Sequence, residues 1–170
     1  QHWFHWPAEV NVCRSQIAGD TSEWTFFTGD GTPKATHSGI ALTGTNYPAA
    51  SRPLGLPSPT SAASAVVAGA VDDTETVETR VYTYTVVNKE AGRTIESAPA
   101  PASTSVDVRT TQTVTMGTFA TLPGSGYILT HRRIYRSTSG VFLLVAEIPI
   151  SQSSYSDDVD PDDLAEEIPS

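Results

Sequence analysis

Cysteine is almost absent: Cys13 stands alone, so no intrachain disulfide can form and the chain carries no thiol framework for a metal. No apolar run approaches the roughly 20 residues that a bilayer-spanning helix needs. No window sustains an apolar stripe of period 3.6, which excludes a substantial amphipathic helix; only residues 161–167 have the composition of a helical turn. Charge is sparse at 17%, and bases are the scarcer sign: 10 Lys and Arg against 19 Asp and Glu, for a net charge of −9. Such a chain repels phosphate backbones and anionic headgroups, so neither nucleic acid nor a membrane surface is an expected partner. The sequence lacks a Gly-x-Ser-x-Gly elbow, a phosphate-cradling glycine loop and a basic aromatic stripe. The opening Gln1-His2-Trp3 has neither an initiator methionine nor a signal pattern, as expected of a fragment of a longer protein.

Serine and threonine dominate the polar remainder, with 12 Gly and 12 Pro, a composition suited to short strands and turns. The expected class is therefore all-β. Residues 1–50 read as a small β subdomain. In it, Glu23-Trp24-Thr25-Phe26-Phe27-Thr28 has strand character, Gly29-Asp30-Gly31 is a tight turn, and residues 32–36 return as the partner. Residues 3–6 look like the middle of a strand ending at Pro7, and residues 40–42 a further strand. Residues 51–64, with Pro53, Pro57 and Pro59, read as a semi-rigid linker. Residues 65–170 carry the clearest alternation. Tyr82, Tyr84 and Val86 fall on one face of a strand and Thr83 and Thr85 on the other. Weaker alternation marks residues 103–108 and 112–116. Residues 127–136 and 141–150 form a hairpin around Ser137-Thr138-Ser139-Gly140, and residues 153–156 a short last strand.

The stretch Arg133-Ile134-Tyr135-Arg136-Ser137 … Phe142-Leu143-Leu144-Val145-Ala146, followed by Ser153-Ser154-Tyr155-Ser156-Asp157, resembles the middle strands of fibronectin type III domains. The element that closes such a domain resembles Tyr82-Thr83-Tyr84-Thr85-Val86 … Asn88 … Gly92 … Ser97-Ala98-Pro99, but here it comes first. The resemblance implies a fibronectin type III or immunoglobulin-like β-sandwich with permuted strand order. The tryptophan usual in that core has no equivalent, so Met116 or Phe119 is expected to fill its place. Upstream, Trp6-Pro7 … Val10-Asn11-Val12 … Ile17-Ala18-Gly19-Asp20, Phe27 to Thr36, and Tyr47-Pro48 … Leu54-Gly55-Leu56-Pro57-Ser58-Pro59 resemble bacteriophage virion proteins of the podovirus tail-nozzle type. Leu164 … Glu167-Ile168-Pro169-Ser170 is similar to the point where their β-propeller-like body resumes. That resemblance implies a non-enzymatic structural component of a phage tail or neck. Its partners would be other virion proteins, in a ring of copies for the full-length protein.

Cys13 has no base identifiable beside it and reads as incidental. Gly124-Ser125-Gly126 is a loop, and His2, His5, His37 and His131 sit in no catalytic motif. His2 and His5 on one strand would point to opposite faces, away from a common metal. The acids Asp157, Asp158, Asp160, Asp162, Asp163, Glu166 and Glu167 lack the glycine and closing-glutamate spacing of a calcium loop and read as a solvated segment. No catalytic, cofactor or metal residue is therefore assigned, and no cofactor is implied. The alternative function is a receptor- or glycan-binding module, for which Trp24, Tyr47 and Tyr155 are the aromatics that would have to be exposed.

Overall fold

A computed structural model of the chain describes residues 3–120, 126–164 and 167–168. It is all-β, with strands in three antiparallel sheets. The first sheet is built from β1 (Asn11–Arg14), β2 (Thr25–Gly29), β3 (Gly31–Thr36) and β4 (Arg52–Pro53), in that spatial order. Phe27 is buried on one face of its central pair and Ala35, opposite Phe26, on the other, and Trp24 is buried just ahead of β2.

Gly29 and Gly31 both have positive φ in the β2–β3 turn, and Lys34 closes on Asp30 at 2.7 Å. At Gly29 a side chain is also sterically blocked, because an added Cβ would collide with the Glu9 carbonyl oxygen. Gly29→Ala is therefore expected to cost roughly 1–3 kcal/mol, read as a shifted urea midpoint. Gly31→Ala, with open space around it, should cost less.

Two local expectations are corrected here. Residues 3–6 form no strand. His5 N–H bonds the Tyr47 carbonyl at 2.8 Å, and Trp6 packs its ring on Phe27 at 5.1 Å instead of entering a ladder. Residues 40–42 do not extend the sheet either, because a helical turn, α1 (Ser38–Ala41), occupies that stretch. His37 caps it, its Nδ1 accepting from Gly39 N–H at 3.2 Å. The proline-rich stretch contributes β4 to the first sheet. It then lies along the rest of the chain, where Ser58 Oγ donates to the Pro99 carbonyl at 3.0 Å and Pro59 is buried.

The remaining strands are β5 (Ser64–Ala68), β6 (Val77–Glu90), β7 (Arg93–Glu96), β8 (Val106–Arg109), β9 (Thr113–Gly117), β10 (His131–Ser137), β11 (Leu143–Pro149) and β12 (Tyr155–Asp157). One sheet runs β11-β10-β6-β7 with β8 also paired to β6, and the other runs β12-β9-β5. They enclose the core in a sandwich-like arrangement. Tyr82, Tyr84, Ile134 and Ile148 face Val108, Val114 and Met116, and Phe119 meets Tyr84 edge-on at 5.1 Å. Met116 is fully buried in this core, and Phe119 packs against the same cluster.

The second face of β6 is buried as well, contrary to a half-buried strand. Residues 97–103 run beside it, bonding through Ser97, Ala100 and Ser103 N–H to the Val86, Tyr84 and Tyr82 carbonyls at 2.7–3.0 Å. Over that face Glu96 accepts from Thr85, Tyr135 and Arg133. Burial and the Glu96 carboxylate raise the Tyr135 phenol well above its ordinary pKa.

Candidate functional site

The most densely bonded polar locus outside the sandwich is the joint where the β6–β7 turn meets the first sheet. β6 and β7 are linked by Ala91-Gly92, both in the left-handed region, a two-residue loop of the kind that matches strand twist. Ala91 is not a glycine, so this conformation is held by its surroundings. Its carbonyl oxygen accepts from Ser22 Oγ at 2.9 Å and from Trp24 Nε1 at 3.1 Å. Before the turn, Glu90 receives Arg52 at 3.1 and 3.3 Å and faces His37 Nε2 at 3.5 Å. Because His37 Nδ1 already accepts from Gly39 N–H, its ring proton sits on Nε2, pointing at Glu90. Trp24 packs against His37 with ring centroids 4.6 Å apart and planes tilted by 51°, and Arg93 lies over the Trp24 and Phe26 rings at 5.5 and 5.1 Å.

A serine, a histidine and a glutamate thus meet here, but not as a relay. The Ser22 hydroxyl hydrogen is spent on a carbonyl, and the His37 acceptor nitrogen is spent on the α1 cap. The enclosed space beside Trp24, Asn88, Glu90 and Ile95 is about 10 Å³, room for one water at most. What the arrangement does chemically is fix one sheet against the other.

Burial alone would raise the Glu90 carboxyl, but Arg52, with help from His37 and Asn88, outweighs it and holds the pKa below its ordinary value. A depressed folded pKa stabilises fully above the unfolded value and is lost as pH falls through the folded one. The stability gap between this chain and Glu90→Gln should therefore be widest at neutral pH and narrow as pH falls below the ordinary glutamate range, measured by urea unfolding across that range. A gap that stays constant would mean that Glu90 contributes no charge-dependent stability.

The sequence candidates fall elsewhere. Asp157 is a correction: it is not solvated but wholly buried, accepting from the Tyr82 hydroxyl at 2.7 Å and Arg136 Nη1 at 2.8 Å. Burial, reinforced by the Asp157 carboxylate, pushes the Tyr82 phenol far up. Asp158, Asp160, Asp162 and Asp163 are exposed, and Asp160 accepts from Asp162 N–H to cap a 3-10 turn over Pro161–Asp163. Glu167 forms a bridge to Leu143, whereas Glu166 lies outside the described residues, as do His2, Gly124 and Ser125. His131 begins β10 beside Thr130 Oγ1 at 2.9 Å, while Asp157 meets the far end of that strand at Arg136. Cys13 is exposed, with its thiol against the Arg14 carbonyl. Among the described residues no group of three or more His, Cys, Asp or Glu is placed to hold a metal, and no helix is long and apolar enough to cross a membrane.

Of the aromatics, Trp24 is buried in the joint and Tyr47 and Tyr155 are half-buried. Trp3 is 78% exposed and, with Phe4, Trp6, Val12 and Leu42, lines an open groove of about 860 Å³.

Comparison with protein-family models, curated proteins and solved structures finds no match for this chain. The assignment of function rests on geometry and on motif resemblance. Sequence reasoning missed Glu90, Ala91 and Arg93, because the joint is made by residues 38 to 69 positions apart. The one local signal was the Ala-Gly pair after a long alternating run, which marks a hairpin but not what docks on it.

Proposed function

We propose that this chain is a non-enzymatic structural module of a bacteriophage virion, part of a tail or neck protein of nozzle type. The carrying observation is the joint: Glu90, Ala91 and Arg93 at one hairpin turn bind Arg52, His37, Ser22 and Trp24, so that a projecting sandwich is held in fixed orientation on a small sheet. That is the arrangement a scaffold needs, and it leaves the reactive groups of the joint engaged with one another. The permuted fibronectin-like reading is supported by the sheet order β11-β10-β6-β7 facing β12-β9-β5, in which a hairpin early in the chain pairs with a strand that comes later. The virion assignment is supported by the upstream motifs, which supply the β2–β3 hairpin and the run into β4. Partners under this reading are other virion proteins and neighbouring copies of the full-length protein.

Antibodies raised against this chain, applied to phage particles in immunogold electron microscopy, test it. Label at the tail or neck is expected, and particles that carry no label would overturn the assignment. For the receptor- or glycan-binding alternative Trp24 is unavailable because it is buried, while Tyr47 and Tyr155 are half-buried; a glycan array reads it directly, and specific binding there would displace the scaffold reading.

A further inference from the structure

Arg93 stands out among the cations. Among the described residues every lysine and arginine except Arg93 and Arg132 stands against a carboxylate. Arg132 donates to the Ile150 and Gln152 carbonyls at 2.7 and 2.9 Å. Arg93 has no such acceptor: its Nη1 is buried without a hydrogen-bond partner, while its guanidinium rests on the Trp24 and Phe26 rings. That nitrogen is closed to solvent, so an incoming carboxylate would meet the rest of the guanidinium where Arg93 lines the open groove, and a carboxylate is the group that complements a guanidinium best. Burial alone already lowers the Arg93 pKa. The side chain opens onto a groove of about 670 Å³ whose walls include Cys13, Arg14, Ile17 and Gly92. The acid in that groove's wall, Asp20, already accepts from Ser22 and Trp24 N–H at 3.0 Å each, and the groove's Arg14 is taken by Glu23 at 3.0 Å.

The opposite pole of the chain carries the complement. β6 has 14 residues, so its two ends lie about 40 Å apart. Arg93 follows the turn at one end. At the other, Arg80 lies 3.8 Å from Asp157, after which Asp158, Asp160, Asp162 and Asp163 project, all exposed and without a cation partner among the described residues.

We propose that the Arg93 groove receives the acidic segment of residues 158–163 from a second copy of this chain, with one of its carboxylates closing on the Arg93 guanidinium. Donor and receptor surfaces are different and lie at opposite poles, so the contact is heterologous and repeats head to tail, closing a ring or running open according to its rotation. One partly exposed ion pair is weak and salt-sensitive, so the contact is transient for the separate chain and gains strength only where copies are held side by side. It uses this chain alone and stands apart from the virion reading, which particle labelling tests independently.

Cys13 is the only cysteine and lies in the groove wall, which makes the contact trappable. The full chain carrying Asp163→Cys, concentrated and treated with a mild oxidant or a short bismaleimide, should give dimers and a ladder above them. Peptide mapping should place the links between Cys13 and the introduced thiol. Adding Asp158→Asn and Asp162→Asn, which leaves the joint untouched, should cut the yield several-fold, as should 1 M salt, where charges are screened beyond about 3 Å. Arg93→Gln should do the same and Arg93→Lys less, since lysine keeps the charge on the aromatic shelf. Links confined to Cys13–Cys13 and to pairs of introduced thiols would overturn the proposal. So would a mixed-link yield indifferent to both the Asn substitutions and salt.

Discussion

Asp157→Ala should destabilise the chain by about 3–5 kcal/mol, the loss typical of removing one partner from a buried ion pair. Both Asp157 and Arg136 have no exposed side-chain surface, and they meet at 2.8 Å. Asp157 also accepts the Tyr82 hydroxyl at 2.7 Å and Val159 N–H at 3.1 Å, so its removal orphans three donors at once. Arg136 Nε and Nη2 already lack partners, which leaves that guanidinium dependent on Asp157 and on the Val159 carbonyl at 3.0 Å. At this chain length the loss corresponds to a melting temperature about 10 °C lower, and to a matching fall in the urea midpoint. The sign of the net contribution is a separate matter. Replacing both charges, with Arg136→Met and Asp157→Leu, should recover most of the loss, because the desolvation penalty of the pair disappears with it. A double-mutant cycle across these variants gives the coupling. Were Asp157→Ala to cost less than about 1 kcal/mol, water would have to reach Arg136 and the pair would behave as a surface one.

The same pair shows what the sequence could and could not disclose. The alternation of Tyr82, Tyr84 and Val86 identified β6 and its core face, because a period of two is a local property of the chain. Burial of Thr83 and Thr85 was not local: it comes from residues 97–103 lying alongside and from Glu96 and Arg133 capping the face. Asp157 looked like its neighbours in an acidic run, yet β12 pairs with β9 and so turns it into the core while Asp158 stays outside. Nothing within a few residues distinguishes the two, since the difference is that Asp157 closes a three-residue strand with its side chain inward and Asp158 lies just past its end. The β2–β3 hairpin was legible because Gly29-Asp30-Gly31 demands a turn, and α1 was not, because a four-residue helix held by one histidine cap leaves no periodic trace. The joint was the least legible part. Its signal is a carbonyl at Ala91 and a tryptophan 67 positions away, and backbone carbonyls carry no sequence identity.

Trp24→Ala should cost about 3–5 kcal/mol, the range for emptying a buried large aromatic site, and its effect should be more than a uniform loss. Trp24 is 5% exposed and touches three members of the joint: His37 with tilted rings 4.6 Å apart, Ala91 through Nε1 at 3.1 Å and Arg93 through its ring face. A sheet of four short strands is marginal by itself. Without Trp24 the Ala91 carbonyl keeps only Ser22, and Arg93 keeps only Phe26. The first sheet should then unfold ahead of the sandwich, so that one cooperative transition separates into two when amide exchange at Phe27 and at Tyr84 is followed against urea. Trp24→Phe distinguishes packing from bonding: it restores most of the apolar burial and removes only the indole donor, for an expected cost of about 1 kcal/mol with a single transition retained. If Trp24→Ala left the two probes coincident, the sheets would be coupled through Glu90 and Arg52 instead, and Glu90→Gln would become the uncoupling substitution. The scaffold role proposed above requires the two sheets to move as one body, and separated transitions would show that Trp24 is what makes them do so.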